Sequence, residues 1–118
     1  MKRIVIGDIH GKNQLLEKLI EYHGKDNQFI FLGDFIDRGE TSREVVDYII
    51  KLPQKICLMG NHEDLLIRFL KGNDPKFAEE FEPLPPPQLE AWISPENGGK
   101  KTLDSFNLDV NSRWSDLN

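Results

Sequence analysis

An α/β fold built on a parallel sheet is what this 118-residue chain predicts, and three observations predict it. Short apolar runs at residues 4–6, 29–32 and 56–59 each end in glycine followed by aspartate or asparagine. Apolar residues at helical spacing fill the gaps between these runs and follow the last one. The runs are continuous rather than alternating, which suits strands covered on both faces, as in a parallel sheet. The resulting order is β-α-β-α-β-α, with right-handed crossovers expected.

Ile4, Val5 and Ile6 form the first strand and lead into Gly7-Asp8. Leu15, Leu16, Leu19 and Ile20 then mark one face of a helix. His23, beside Gly24 at its end, reads as a favourable charge for the helix C-terminus rather than as a metal ligand. Phe29, Ile30, Phe31 and Leu32 form the second strand, ending in Gly33-Asp34. Val45, Val46, Ile49 and Ile50 mark the second helix, with Thr41 or Ser42 as its N-cap and Glu44 close behind. Ile56, Cys57, Leu58 and Met59 form the third strand, ending in Gly60-Asn61, and Cys57 reads there as a small buried hydrophobe. Leu65, Leu66, Phe69 and Leu70 mark a third helix that stops at Gly72.

The second half has a different character. Residues 74–82 are charged, and Pro83 and Pro85-Pro86-Pro87 argue against helix or central strand. Residues 88–93 predict a short helix, and Gly98-Gly99 a tight turn or a close backbone approach. Residues 107–118 read as a loose polar tail in which Trp114 is the residue able to dock. Residues 1–106 therefore form the predicted domain and 107–118 its tail, with one modest core rather than two independent ones.

Composition narrows the function classes. The net charge is −5 and no long basic run occurs, so nucleic acid is not an expected partner. No apolar stretch approaches the ~20 residues of a membrane span, and the N-terminus lacks the apolar region of a signal peptide. A single cysteine forms no intramolecular disulfide and suits a reducing, cytoplasmic setting.

Open parallel sheets bind ligands beyond the carboxyl ends of their strands. Those ends carry Asp8 and His10, then Asp34, Asp37 and Arg38, then Asn61 and His62. Asp8 and His10 are two apart and project to the same side of an extended segment. Carboxylate with imidazole is a common ligand pair for manganese, iron or zinc. Asp34 can place a carboxylate between two ions, and Asn61 offers an amide oxygen to the second. Two ions about 3.5–4 Å apart would clamp a phosphoryl oxygen and generate a nucleophile. Arg38 suits a bidentate phosphate contact. His62 suits general acid work, with Asp37 behind it. One Gly-Asp after a strand is ordinary turn chemistry. Three equivalent strand ends, two with a histidine beside them, call for another explanation.

Gly7-Asp8-Ile9-His10-Gly11, Gly33-Asp34-Phe35-Ile36-Asp37-Arg38-Gly39 and Gly60-Asn61-His62-Glu63 resemble the three signature motifs of calcineurin-like metallophosphoesterases. The Asp-Arg-Gly ending of the second motif resembles the phosphoprotein phosphatase branch, which includes bacterial serine/threonine phosphatases and diadenosine tetraphosphate hydrolases. Trp92, Asn97-Gly98-Gly99 and Thr102-Leu103-Asp104-Ser105-Phe106 are similar to that branch's segment after its third motif, so the resemblance covers about residues 1–106. It implies the first half of an αββα sandwich. It implies a first metal held by Asp8 and His10, a bridging Asp34, and a second metal on Asn61. Arg38 would contact phosphate, and His62 would donate a proton with Asp37 behind it. Two divalent ions are implied, manganese first, with iron or zinc as alternatives. The implied reaction is attack of a metal-bound hydroxide on a phosphomonoester of a protein or on a nucleotide phosphate.

The family also takes two histidine ligands for its second metal, and a further arginine, from its second half. Here the histidines are His10, His23 and His62, and Arg113 lies in the tail without a matching context. Ser94-Pro95-Glu96 resembles a small insertion, and Pro85-Pro86-Pro87 matches no motif. The resemblance thus implies an incomplete second site and a sheet face lacking the family's second-half strands. A homodimer or a partner chain is expected to cover that face. The alternative to an enzyme is a module that binds phosphate or one metal and serves in interaction. A dinucleotide-binding reading is disfavoured, because Gly7-Asp8-Ile9-His10-Gly11 is no Gly-x-Gly-x-x-Gly loop.

Overall fold

The computed structural model describes residues 1–117. Strand β1 (Arg3–Ile6) is followed by helix α1 (Asn13–His23), β2 (Gln28–Phe31), α2 (Ser42–Ile50), β3 (Lys55–Cys57) and α3 (Asn61–Gly72). A 3₁₀ turn at Pro75–Phe77, helices α4 (Pro86–Ile93) and α5 (Gly99–Ser105), and a second 3₁₀ turn at Trp114–Asp116 complete the chain. The sheet is parallel with order β1-β2-β3, as the strand–helix alternation predicts. Val5 lies opposite Ile30, and Ile30 opposite Ile56.

The sheet is covered on one face only, which corrects the two-sided burial that the continuous runs suggest and agrees with the uncovered face that the resemblance implies. Ile6, Phe29 and Phe31 point into a core with Leu16 and Ile20 of α1, Val45 and Ile49 of α2, and Leu52. Side chains alternate along a strand, so Val5, Ile30 and Ile56 share the opposite face. Val5 is 58% and Ile56 45% exposed there. Leu32 and Leu58, beyond the strand ends, are also exposed. Continuous apolar runs report composition and cannot distinguish one covered face from two.

Cys57 is likewise exposed, not buried, because β3 is an edge strand. Partial burial pushes its thiol above the ordinary value, against the pull of Lys55, so it has little thiolate character.

Two other expectations change. Thr41 precedes α2 without capping it. Its hydroxyl instead accepts the N–H of Asn13, at 3.0 Å, and donates to the Gly11 carbonyl, at 2.7 Å, fastening the start of α1. Helix α4 begins at Pro86, inside the proline run that argued against helix. Prolines fit a first helical turn, whose N–H groups have no intrahelical partner and whose φ matches theirs.

A second apolar cluster joins Phe69 and Leu70 of α3, Leu84, Trp92 of α4 and Leu103 of α5. The chain therefore buries two clusters where one was expected. Between them lies a polar seam of fully buried Asp37, Ser42 and Thr102. The radius of gyration is 15.0 Å, above the roughly 13.5 Å of a compact chain this long, as two clusters side by side require.

The segment expected to be loose is docked on α3. Leu108, Trp114 and Leu117 pack against the second cluster. The Lys71 ammonium lies 4.8 Å from the Trp114 ring centre, 5.1 Å from that of Phe77 and 5.2 Å from that of Phe81. Asp74 accepts the Ser115 hydroxyl at 2.6 Å and its N–H at 3.0 Å. Asn118, the last residue of the predicted tail, lies outside the described residues. No helix among the described residues is long and apolar enough to cross a membrane.

Candidate metal centre

The three strands end side by side, so the loops after them meet. Hydrogen bonds from the N–H groups of His10 and Gly11 to the carbonyls of Asp34 and Phe35, at 2.9 and 2.7 Å, tie the first loop to the second. The second loop is tied to the third by Glu63. Its carboxylate accepts the N–H groups of Asp34 (2.6 Å), Phe35 (2.8 Å) and Gly60 (2.9 Å). Gly33 has φ 98°, and a Cβ there would overlap the backbone nitrogen of Gly60. Only glycine lets these two loops approach so closely.

Asp8, His10 and Asp34 come together, with ligand atoms all within 4.8 Å of one another. They converge by a different route from the one their spacing suggests. Asp8 has φ 51° and His10 φ 44°, so the segment is left-handed rather than extended. His10 is nearly buried, and its Nδ1 lies 2.9 Å from the Ile36 carbonyl. A carbonyl only accepts, so Nδ1 carries the hydrogen and Nε2 keeps the lone pair for an ion. Oxygen, oxygen and imidazole nitrogen form a donor set that fits a divalent metal.

Asn61 is the exposed first residue of α3. Its neighbours on both sides reach Asp34. Gly60 packs against that carboxylate, and the His62 N–H lies 3.3 Å from Oδ1. The positive end of α3 thus faces the Asp34 carboxylate.

His62 Nδ1 is 2.7 Å from Asp37 Oδ2. The His62 ring stands edge-on to that of His10, 4.8 Å between centres, so the His62–Asp37 pair abuts the metal group. Asp37 is fully buried and accepts the Trp92 indole N–H on Oδ2 and the Thr102 hydroxyl on Oδ1, both at 2.6 Å. Arg38 is exposed at the rim, held at φ 71° with its N–H 3.4 Å from the Gly98 carbonyl. Gly98 has φ 73°, and a Cβ on it would collide with the Arg38 backbone, which is the close approach that Gly98-Gly99 predicts. His23 stays at the end of α1, edge-on to Tyr22 and apart from the metal group.

Sequence reasoning assigned no role to Glu63, Trp92 or Thr102. Glu63 had a signal, since a glutamate three residues after a helix N-cap returns to the cap N–H. A buried tryptophan requires an acceptor for its N–H, but nothing in the sequence identifies Asp37, 55 positions away, as that acceptor. The family model for calcineurin-like phosphoesterases matches the chain over residues 1–116.

Proposed function

Because the chain belongs to the calcineurin-like phosphoesterase family, we propose that it takes part in hydrolysis of phosphomonoesters in the manner of serine/threonine protein phosphatases. A metal-dependent phosphoesterase is the general activity of such a domain. The finer reading covers a phosphorylated protein or a nucleotide phosphate as substrate, and manganese as metal with iron or zinc as alternatives. The observation that carries it is the convergence of Asp8, His10 and Asp34 beside the His62–Asp37 pair.

Asp8 and His10 would hold a first ion and Asn61 a second, with Asp34 a ligand to both. Bound ions would supply Lewis-acid polarisation of the phosphoryl group and a nucleophile at neutral pH. The chain's own residues do the rest. Exposed Arg38 neutralises and orients a phosphate at the rim. Asp37 holds the Nδ1 side of His62, so Nε2 is the atom that takes up a proton and, from the imidazolium, gives it to the leaving oxygen. The lone cysteine supports a reducing, cytoplasmic setting.

One observation favours a second reading, in which the chain binds a single ion or phosphate as an interaction module. The group of ligands among the described residues contains one imidazole, and His62 is engaged by Asp37. Calorimetric titration with manganese, run beside an aryl phosphate assay, separates the two. Two tight sites with turnover support the dinuclear hydrolase; one site without turnover supports the module.

A further inference from the structure

We infer that Trp92 and Thr102 are positioning residues that act through Asp37 to fix the orientation and tautomer of His62. This rests on the reading of His62 as the proton donor. It begins with Asp37, a carboxylate with no exposed surface. A buried carboxylate is costly unless donors satisfy its oxygens. Oδ1 receives the Thr102 hydroxyl at 2.6 Å, and Oδ2 receives the Trp92 indole N–H at 2.6 Å.

The direction of each bond is fixed. An indole nitrogen donates and never accepts. The Thr102 oxygen accepts the Asp37 N–H at 2.8 Å, so its own hydrogen is free to go to Oδ1. Both oxygens of Asp37 are thereby committed as acceptors. His62 Nδ1, 2.7 Å from Oδ2, must then carry a hydrogen, and the lone pair of the neutral ring resides on Nε2. Two donors on the carboxylate also remove its freedom to rotate, so the ring facing His10 keeps one orientation.

The two donors come from the helices that build the second cluster. Trp92 is 1% exposed on α4 and Thr102 fully buried on α5. Gly99 sits so close to the Trp92 indole that a Cβ would strike the ring. The Gly98-Gly99 turn therefore sets α5 against α4 and brings both donors to one carboxylate. Delivering them to the metal side is what the second cluster contributes to the site.

The test is nitrogen-15 NMR of the metal-free protein, which reads the imidazole tautomer without turnover. In the wild type, His62 should show one tautomer with the hydrogen on Nδ1, and the Trp92 indole N–H should resonate well downfield of that of Trp114. Thr102→Val and Trp92→Phe should each give a mixture of tautomers, while Thr102→Ser, which keeps the hydroxyl, should match the wild type. With manganese present, the first two should lower kcat by about 10–100-fold at little changed KM. In the neutral His62 ring of the wild type, hydrogen on Nε2 rather than Nδ1, or an indole N–H at the water-exposed position, overturns the proposal even if both variants fail to fold. Folded Thr102→Val and Trp92→Phe proteins that keep the single tautomer also overturn it. Altered tautomers in a protein whose wild type turns over no phosphate would support the positioning roles and count against the phosphatase reading instead.

Discussion

Five of the seven candidate site residues adopt backbone conformations that L-residues rarely adopt. Asp8, His10, Asp34, Asp37 and Arg38 have φ between 44° and 73°. Such conformations cost of order 1–3 kcal/mol each and persist where the surroundings impose them. At Asp34 that imposition comes from Glu63, whose carboxylate collects the amides of Asp34, Phe35 and Gly60. Glu63→Ala should lower stability by about 1.5–3 kcal/mol, the usual value of a hydrogen bond to a charged group, and weaken manganese binding measured by calorimetry. Asp34→Asn should instead leave thermal stability close to that of the wild type while abolishing metal binding and activity; full activity in that variant would sink the metal assignment. The repeated Gly-Asp and Gly-Asn endings were legible in the sequence because a parallel sheet places its strand ends together. The left-handed backbone was not, since the preference of aspartate and histidine for it is weak beside that of glycine, and arginine has none. Thr102 was equally hidden, because its acceptor Asp37 lies 65 positions away.

Helices and strands were easier to read than their boundaries and partners. All three strands and the first three helices fall where apolar spacing predicts. Trp114 stood out as an anchor of the segment after α5, but the extent of its docking did not, because Leu108, Trp114 and Leu117 are too sparse to show a period. Polar contacts reinforce this packing, through the ring of aromatics about Lys71 and the carboxylate of Asp74. Lys71→Met should loosen it by about 0.5–2 kcal/mol, the range of a cation–π contact, seen as altered Trp114 fluorescence with the sheet intact. The Ser115 hydroxyl, then the Lys76 and Ser115 N–H groups, hold the Asp74 carboxyl below its ordinary value of 3.8. A depressed folded-state value adds stability that is fully present above 3.8 and is lost as pH falls through the lower folded value. Acid should therefore release Trp114 in the wild type. In Asp74→Asn the segment should be looser already at neutral pH and show less additional release in acid.

At the scale of the whole molecule, the sheet divides the protein into a covered and an uncovered side. Val5, Ile30 and Ile56 form an apolar row across all three strands, extended by exposed Leu32 and Leu58. Soluble monomers rarely leave such patches bare, and we propose that a second copy or a partner chain covers this one. Sedimentation should show concentration-dependent association that Val5→Lys reduces without loss of helical signal; a monomer at all concentrations argues against self-association. The buried polar seam has a different consequence. The N–H of Asp37, which starts in the loop after β2, ends on Thr102 in α5, and the same carboxylate is shared by α3 and α4. The two clusters cannot separate without breaking these bonds. In deuterium exchange the amide of Asp37 should therefore be among the slowest in the protein, although it lies in a loop. A slow amide at the centre of a reactive site would mean that the two halves of the molecule melt together, and that the site vanishes only when they do.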